Sequence, residues 1–206
     1  LEEQVLPWLD QRFAGRDKPR ERIFLTCGMP ESEIAMKLEA AGLPTPSVDV
    51  AYCASQGRVE VRLTASEKRG AELDAAAEIV RREVGPYAFA EERISLEEVI
   101  GRLLAEQKAT LSVAESCTGG YLGHRITSLS GSSNYFLGGV IAYANNVKTR
   151  ELGVPADVLK SQGAVSEQVA KMMAEGVRRK FDSDYGVGIT GIAGPNKKKK
   201  KKPVGL

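Results

Sequence analysis

Ala114-Glu115-Ser116-Cys117-Thr118-Gly119-Gly120 is the stretch of this 206-residue chain whose residue types could do chemistry. It follows an apolar run, Thr110-Leu111-Ser112-Val113-Ala114, that reads as a buried strand. It precedes a helix-like run, Thr118 to Leu129, in which Leu122, Arg125, Ile126 and Leu129 recur at helical spacing. A hydroxyl where a buried strand turns into a helix sits beside free backbone N–H groups. Those groups, with the helix dipole, can hold a phosphate or stabilise a developing oxyanion. The same pattern serves equally as an N-cap followed by close packing. Cys117 is a rival nucleophile, since a thiol at a helix N-terminus has a lowered pKa. Its only imidazole partner is His124, seven residues on and ~10 Å away along a helix, too far for a hydrogen bond. Cys117 therefore reads better as a small buried thiol, and His124 as a surface or half-buried helix residue.

Three later segments complete a set: Ser130-Gly131-Ser132-Ser133, the run from Val140 through Tyr143 to Lys148, and Gly188 to Pro195. Glycines around Thr190-Gly191 and Gly194-Pro195 let a ligand approach the backbone, or simply permit a turn. Gly131-Ser132-Ser133 reads either as a phosphate or ribose contact or as the cap of the next element. In this order the four motifs resemble the C-terminal amidase domain of the competence/damage-inducible protein CinA family, over about Ser95 to Leu206. Stand-alone members of that family are nicotinamide-nucleotide amidases.

The resemblance implies hydrolysis of the amide of nicotinamide mononucleotide to nicotinate mononucleotide and ammonia. It places the nucleophile at Ser116, a general base at Lys148 and a supporting phenol at Tyr143. Thr118, Gly119, Gly120, Ser132, Ser133, Thr190 and Gly191 are then the expected substrate contacts. No metal and no cofactor are implied; the expected partners are a small nucleotide and a second copy of the chain. A lysine base must be neutral to accept the serine proton, and burial at an apolar sheet edge lowers a lysine pKa. Without the resemblance, Lys148 reads as a solvated surface lysine and Tyr143 as a rim aromatic.

A basic excess is confined to one place. The formal charge is +2, but six of the basic residues form the unbroken run Lys197 to Lys202. Outside that run 23 basic residues face 27 acidic ones, a balance of −4, so no nucleic-acid footprint is spread over the fold. Three cysteines lack metal-ligand spacing, and reduced thiols are expected. No apolar run is long enough for a membrane span and no signal-peptide pattern opens the chain, so a cytoplasmic enzyme is expected. The chain opens at Leu1 rather than methionine, and Pro203-Val204-Gly205-Leu206 reads as the start of a buried strand. These features suggest part of a longer protein. Of the Gly- and Thr-rich loop the family carries near Asn196, only the following Lys202-Pro203-Val204-Gly205 matches.

Around the site, the elements that must position it form two domains, 1–93 and 94–206. In the first, a short helix through Leu1–Phe13 leads by a charged linker, 15–20, into a strand at Arg22–Cys27. A helix over Glu31–Ala41 ends at Gly42. Strands at Val48–Tyr52 and Arg58–Thr64 flank a Gln56-Gly57 hairpin turn, and one face of their sheet should be wet. A helix over Glu67–Val84 stops at Gly85-Pro86. This small α+β unit resembles the KH-like middle domain of long CinA proteins, but Leu1–Arg93 holds no G-x-x-G loop for RNA. Nucleic acid is thus an unexpected partner, and a non-catalytic nucleotide- or nucleic-acid-binding scaffold in competence or DNA-damage response is the alternative function. In the second domain, Ser95 and Glu98 form a capping box ahead of Leu96–Leu104. Strands at 110–114, Phe136–Tyr143 and Tyr185–Thr190 alternate with helices at 118–129, 148–152, 156–159 and 166–180. Unbroken apolar strands in βα alternation predict α/β architecture, a largely parallel sheet flanked by helices.

Overall fold

The computed structural model describes residues 5–13, 19–55, 57–194 and 203. The chain divides into two units, Leu1–Ile94 and Ser95–Leu206. The expectations for residues 1–4, most of the linker, Gln56, the lysine run and Val204–Leu206 lie outside the described residues.

In the first unit, helix α1 (Val5–Arg12) carries Pro7 in its first turn, where a missing N–H costs nothing. Strand β1 (Arg20–Cys27), helix α2 (Glu31–Ala40), strands β2 (Asp49–Ser55) and β3 (Arg58–Ala65), and helix α3 (Gly70–Val84) follow. Helix α3 starts three residues later than its apolar stripe suggests, because Ser66 caps a separate tight turn over Glu67–Arg69. A further short strand, β4 (Ala88–Ala90), pairs antiparallel with β1 and gives the sheet order β2-β3-β1-β4. Three residues carry too little alternation to betray it in the sequence. Along β3, Val59, Val61, Leu63 and Ala65 are buried while Arg58, Glu60, Arg62 and Thr64 are half-buried on the other face. The buried set packs with Phe24, Ile34, Leu38, Leu73 and Val80 into one core.

The second unit opens at Ser95, whose hydroxyl accepts from Glu98 N while the Glu98 carboxylate accepts from Ser95 N, the expected capping box. It starts helix α4 (Leu96–Glu106). Strand β5 (Leu111–Glu115), helix α5 (Tyr121–Thr127), strand β6 (Phe136–Ile141), helices α6 (Asn145–Leu152), α7 (Ala156–Ser161) and α8 (Glu167–Phe181), and strand β7 (Tyr185–Ile189) complete it. The three strands are parallel in the order β6-β5-β7. All five residues of the central β5 are buried, since helices cover both faces. One core joins Ala114 to Leu152, Val169, Met173 and Val177; the other joins Leu111 and Val113 to Leu104, Ile126 and Tyr135. The fold is the mixed α/β architecture expected, with its parallel sheet preceded by a KH-like α+β region.

Glycines set how closely α8 approaches the sheet. A Cβ at Gly188 would sit 2.2 Å from Ala170 O of α8, and one at Gly186 2.2 Å from Ala174 O. Helix backbone thus lies directly on strand backbone, which fixes where β7 delivers its C-terminal end. Overpacking of this kind costs about 1–3 kcal/mol or more. Gly188→Ala should lower the thermal unfolding midpoint of this unit by on the order of 10 °C. Calorimetry checks it, and an unchanged midpoint would contradict the packing described.

Candidate active site

In a parallel sheet all strand C-termini share one edge, and there the chain gathers its reactive groups. Ser116 follows β5 directly; its N–H donates to Ile189 O of β7 (3.0 Å), which fixes its backbone against the neighbouring strand. On the other side, Ala142 N donates to Glu115 O (2.7 Å), so the chain leaving β6 is tied to the residue before Ser116. Ala142 and Tyr143 then lead into α6, whose first turns contain Lys148. A helical side chain points back toward its helix N-terminus. The Lys148 side chain follows that direction and disappears beneath Ala142 and Tyr143.

Lys148 is 1% exposed. Its Nζ lies 2.9 Å from Ser116 Oγ, 2.6 Å from Ala142 O and 3.1 Å from Tyr143 O. Two carbonyls can only accept, so two amine hydrogens go to them. The third position on nitrogen faces the serine hydroxyl, which can give or take a hydrogen bond. Burial pushes the Lys148 amine below the ordinary lysine range. No carboxylate pairs with this amine among the described residues. A neutral amine with its lone pair on Ser116 Oγ–H is the form that burial favours.

The other expected contacts separate into groups. Thr118, Gly119 and Gly120 form the turn after Ser116, with Gly119 N donating to Ser116 O (3.2 Å). Thr118 Oγ1 is buried without a hydrogen-bond partner. Thr190 and Gly191 follow β7 at the same sheet edge, but the Thr190 hydroxyl is committed to Ala164 O at 2.8 Å. Tyr143 meets Lys148 through its backbone carbonyl only; its side chain is 71% exposed. Cys117 is half-buried and His124 exposed. Ser132 and Ser133 are not with the rest. Their turn precedes β6, so it lies at the N-terminal edge of the sheet, where Tyr135 O receives Leu111 N. Ser116 lies past the opposite end of five-residue β5, roughly 15 Å of strand away. The described structure thus places these two serines at the opposite edge of the sheet from Ser116.

The turn itself also differs from the expectation. Helix α5 begins at Tyr121 rather than Thr118, because Gly119 (φ +61°) and Gly120 (φ +102°) both adopt left-handed backbone that a right-handed helix cannot contain. Its first amides are not open to a phosphate. Glu115, 1% exposed, fills that place. Its carboxylate accepts from Gly120 N (3.1 Å) and Leu122 N (3.1 Å) on one oxygen and from Gly123 N (2.8 Å) on the other. The predicted phosphate cradle at this helix start is therefore occupied by the chain's own anion. Burial, the largest single influence, pushes the Glu115 carboxyl up. The nearby Thr118 hydroxyl and the three amides together outweigh it and hold the group below the ordinary glutamate range. The Thr118 contribution falls short of hydrogen-bond geometry. A depressed carboxyl pKa stabilises the fold above the ordinary glutamate value, and that contribution is lost as pH falls through the folded value. Sequence reasoning missed Glu115, although an acidic residue just before a glycine turn and a helix was the available signal.

Backbone N–H groups of Cys117 and Thr118, by contrast, make no hydrogen bond among the described residues. Nor do the described residues contain a His, Cys, Asp or Glu cluster able to hold a metal ion. No described helix is long and apolar enough to cross a membrane.

Fold and site together define a KH-like unit joined to an α/β unit that carries a buried serine–lysine pair at the end of a parallel sheet. The chain belongs to the CinA family. Residues 93–206 match the family profile described as CinA C-terminal domain, and residues 21–90 that of the damage-inducible protein CinA KH domain. A putative competence-damage inducible protein of Moorella thermoacetica is 43% identical over the whole chain, and a CinA-like protein of Gemmatimonas aurantiaca 44%. The chain spans about half the length of these relatives, 50% and 49%. Among solved structures, the competence/damage inducible protein CihA from Agrobacterium tumefaciens superposes with a TM-score of 0.52 at 39% identity. That match covers 54% of this chain and 67% of that one. A CinA superfamily protein from Escherichia coli gives 0.52 at 31%, covering 53% and 64%.

Proposed function

We propose that the second unit is an amidohydrolase of nicotinamide mononucleotide, releasing ammonia and leaving nicotinate mononucleotide. The observation that carries this reading is the buried Lys148 Nζ, 2.9 Å from Ser116 Oγ and flanked by two carbonyls. Neutral Lys148 takes the Ser116 proton as Oγ attacks the carboxamide carbon. The carbonyl oxygen becomes an oxyanion, for which the free N–H groups of Cys117 and Thr118 are the available donors. The Lys148 ammonium then protonates the leaving nitrogen, ammonia departs, and an ester to Ser116 remains. Water, deprotonated by the same amine, cleaves that ester to the carboxylate, and the amine hands its proton to the departing Ser116 Oγ. No imidazole is needed, in keeping with the exposed position of His124. Tyr143, with its exposed phenol, fits a role at the substrate side of the site rather than in a relay between Ser116 and Lys148.

Ammonia release from this nucleotide, followed against pH, tests the reading. A base works only when neutral, so kcat/KM should fall as pH drops through the Lys148 pKa of the free enzyme. Because burial depresses that pKa, the acid limb should lie below the ordinary lysine value of 10.5. The limb should involve one proton. No ammonia at any pH from folded protein would refute the proposal, and a profile flat down to acid unfolding would remove Lys148 as base.

A further inference from the structure

Glu115 precedes the serine, is fully buried, and touches neither Ser116 Oγ nor Lys148 among its hydrogen bonds. Its connections run two ways. Through its backbone it pairs with Ile141 and Ile189 of both neighbouring strands and receives Ala142 N, the residue whose carbonyl holds Lys148. Through its side chain it holds the far end of the turn that begins at Ser116, at Gly120, Leu122 and Gly123. The Gly119-Gly120 backbone is the freest in the turn, with two successive left-handed residues, and without an anchor it could place Cys117 and Thr118 in many ways.

We propose that Glu115 is a positioning residue for the Ser116 reaction. Its carboxylate stands in for an external anion at the start of α5 and holds the Cys117–Gly120 turn, so that the two unpaired amides meet the developing oxyanion. This rests on the amidase reading. The clamp aligns the oxyanion donors without contacting substrate, so its removal should act on the chemical step and not on binding. It also keeps the buried negative charge on amides and away from the lysine amine, which must stay neutral.

Glu115→Gln in the purified protein tests it. An amide nitrogen cannot accept from N–H groups, so one side of the carboxylate's contacts becomes repulsive. Misplacing an oxyanion donor costs on the order of 100-fold. The expected result is a kcat for ammonia release from nicotinamide mononucleotide lower by about that factor, with KM within about threefold. A folded variant with kcat near wild type, or one that changes KM alone, overturns the proposal; a purely structural role would lower the unfolding midpoint and leave kcat unchanged. If Glu115→Gln does not fold, Glu115→Asp keeps the charge with a shorter reach and is judged by the same split. Amide hydrogen exchange on the wild type gives a readout independent of activity. Gly120, Leu122 and Gly123 should be protected although they open a helix, where amides are ordinarily unpaired, while Cys117 and Thr118 exchange fast. Equal exchange at all five removes the clamp. A wild type with protected amides that releases no ammonia overturns the amidase reading, and the catalytic role of Glu115 falls with it. An active wild type with an unaffected Glu115→Gln overturns this inference alone.

Discussion

Ser116→Ala is expected to lower kcat for ammonia release by roughly 10⁴-fold or more, because removing a nucleophile that acts as one unit with its base abolishes nearly all covalent catalysis. The fold should survive. Among the described residues the Ser116 side chain makes one hydrogen bond, to Lys148 Nζ, while its backbone N–H keeps Ile189 O. Losing that single bond costs about 1 kcal/mol or somewhat more, since the amine retains two carbonyl acceptors. Nucleotide affinity, measured by calorimetry on the inactive variant, should stay within about threefold of wild type, because the ground-state amide gains little from a hydroxyl that acts in the transition state. Cys117→Ala serves as the neighbouring control. Its thiol is half-buried and the Lys148 amine faces the Ser116 hydroxyl instead, so the variant should stay active. Loss of turnover in Cys117→Ala with retention in Ser116→Ala would transfer the nucleophile to the thiol.

The elements around this site were largely legible because each carried a local signal. Strand β5 is an unbroken apolar run, the capping box announces α4, and Ser166 accepts from Val169 N at the start of α8. What was not legible depends on relations between segments. Lys148 reads as a surface residue within its own polar helix. Only the meeting of β6, β5 and α6 turns its side chain inward, and family likeness rather than pattern pointed to it. Ser132 and Ser133 stand apart from Ser116 for a topological reason that was available in principle: they precede a strand, whereas Ser116 follows one, and in a parallel sheet those are opposite edges. Glu115 was passed over because a carboxylate near a helix start reads as ordinary helix polarity. Its burial follows from β5 being central in the sheet, which no local pattern encodes. Gly186 and Gly188 carry no local sign of their use, which is contact with the α8 backbone.

Lys148→Arg separates a base from a fixed positive charge. A guanidinium keeps its proton at any pH the protein survives, so it can hold an anion but cannot take the serine proton. If Lys148 is the base, Lys148→Arg and Lys148→Ala should both lose on the order of 10³-fold or more in kcat, and lie within about tenfold of each other. If the amine only anchors a phosphate, arginine should restore most of the activity that alanine loses. The slot is tight, since the side chain is 1% exposed and its nitrogen touches two carbonyls, so arginine could also fail by steric misfit. Lys148→Met settles that point. Its unbranched side chain is close in shape and carries no charge, so it removes the amine with little loss of packing. It leaves Ala142 O and Tyr143 O without this donor, at a cost of about 1–3 kcal/mol each if they stay dry. The buried amine's own desolvation penalty, the cause of its lowered pKa, disappears in the same variant and offsets part of that loss. The expected outcome is therefore a folded Lys148→Met protein, with an unfolding midpoint within reach of wild type, that binds nucleotide and releases no ammonia. Turnover by Lys148→Arg within tenfold of wild type would show that no proton is taken at this position.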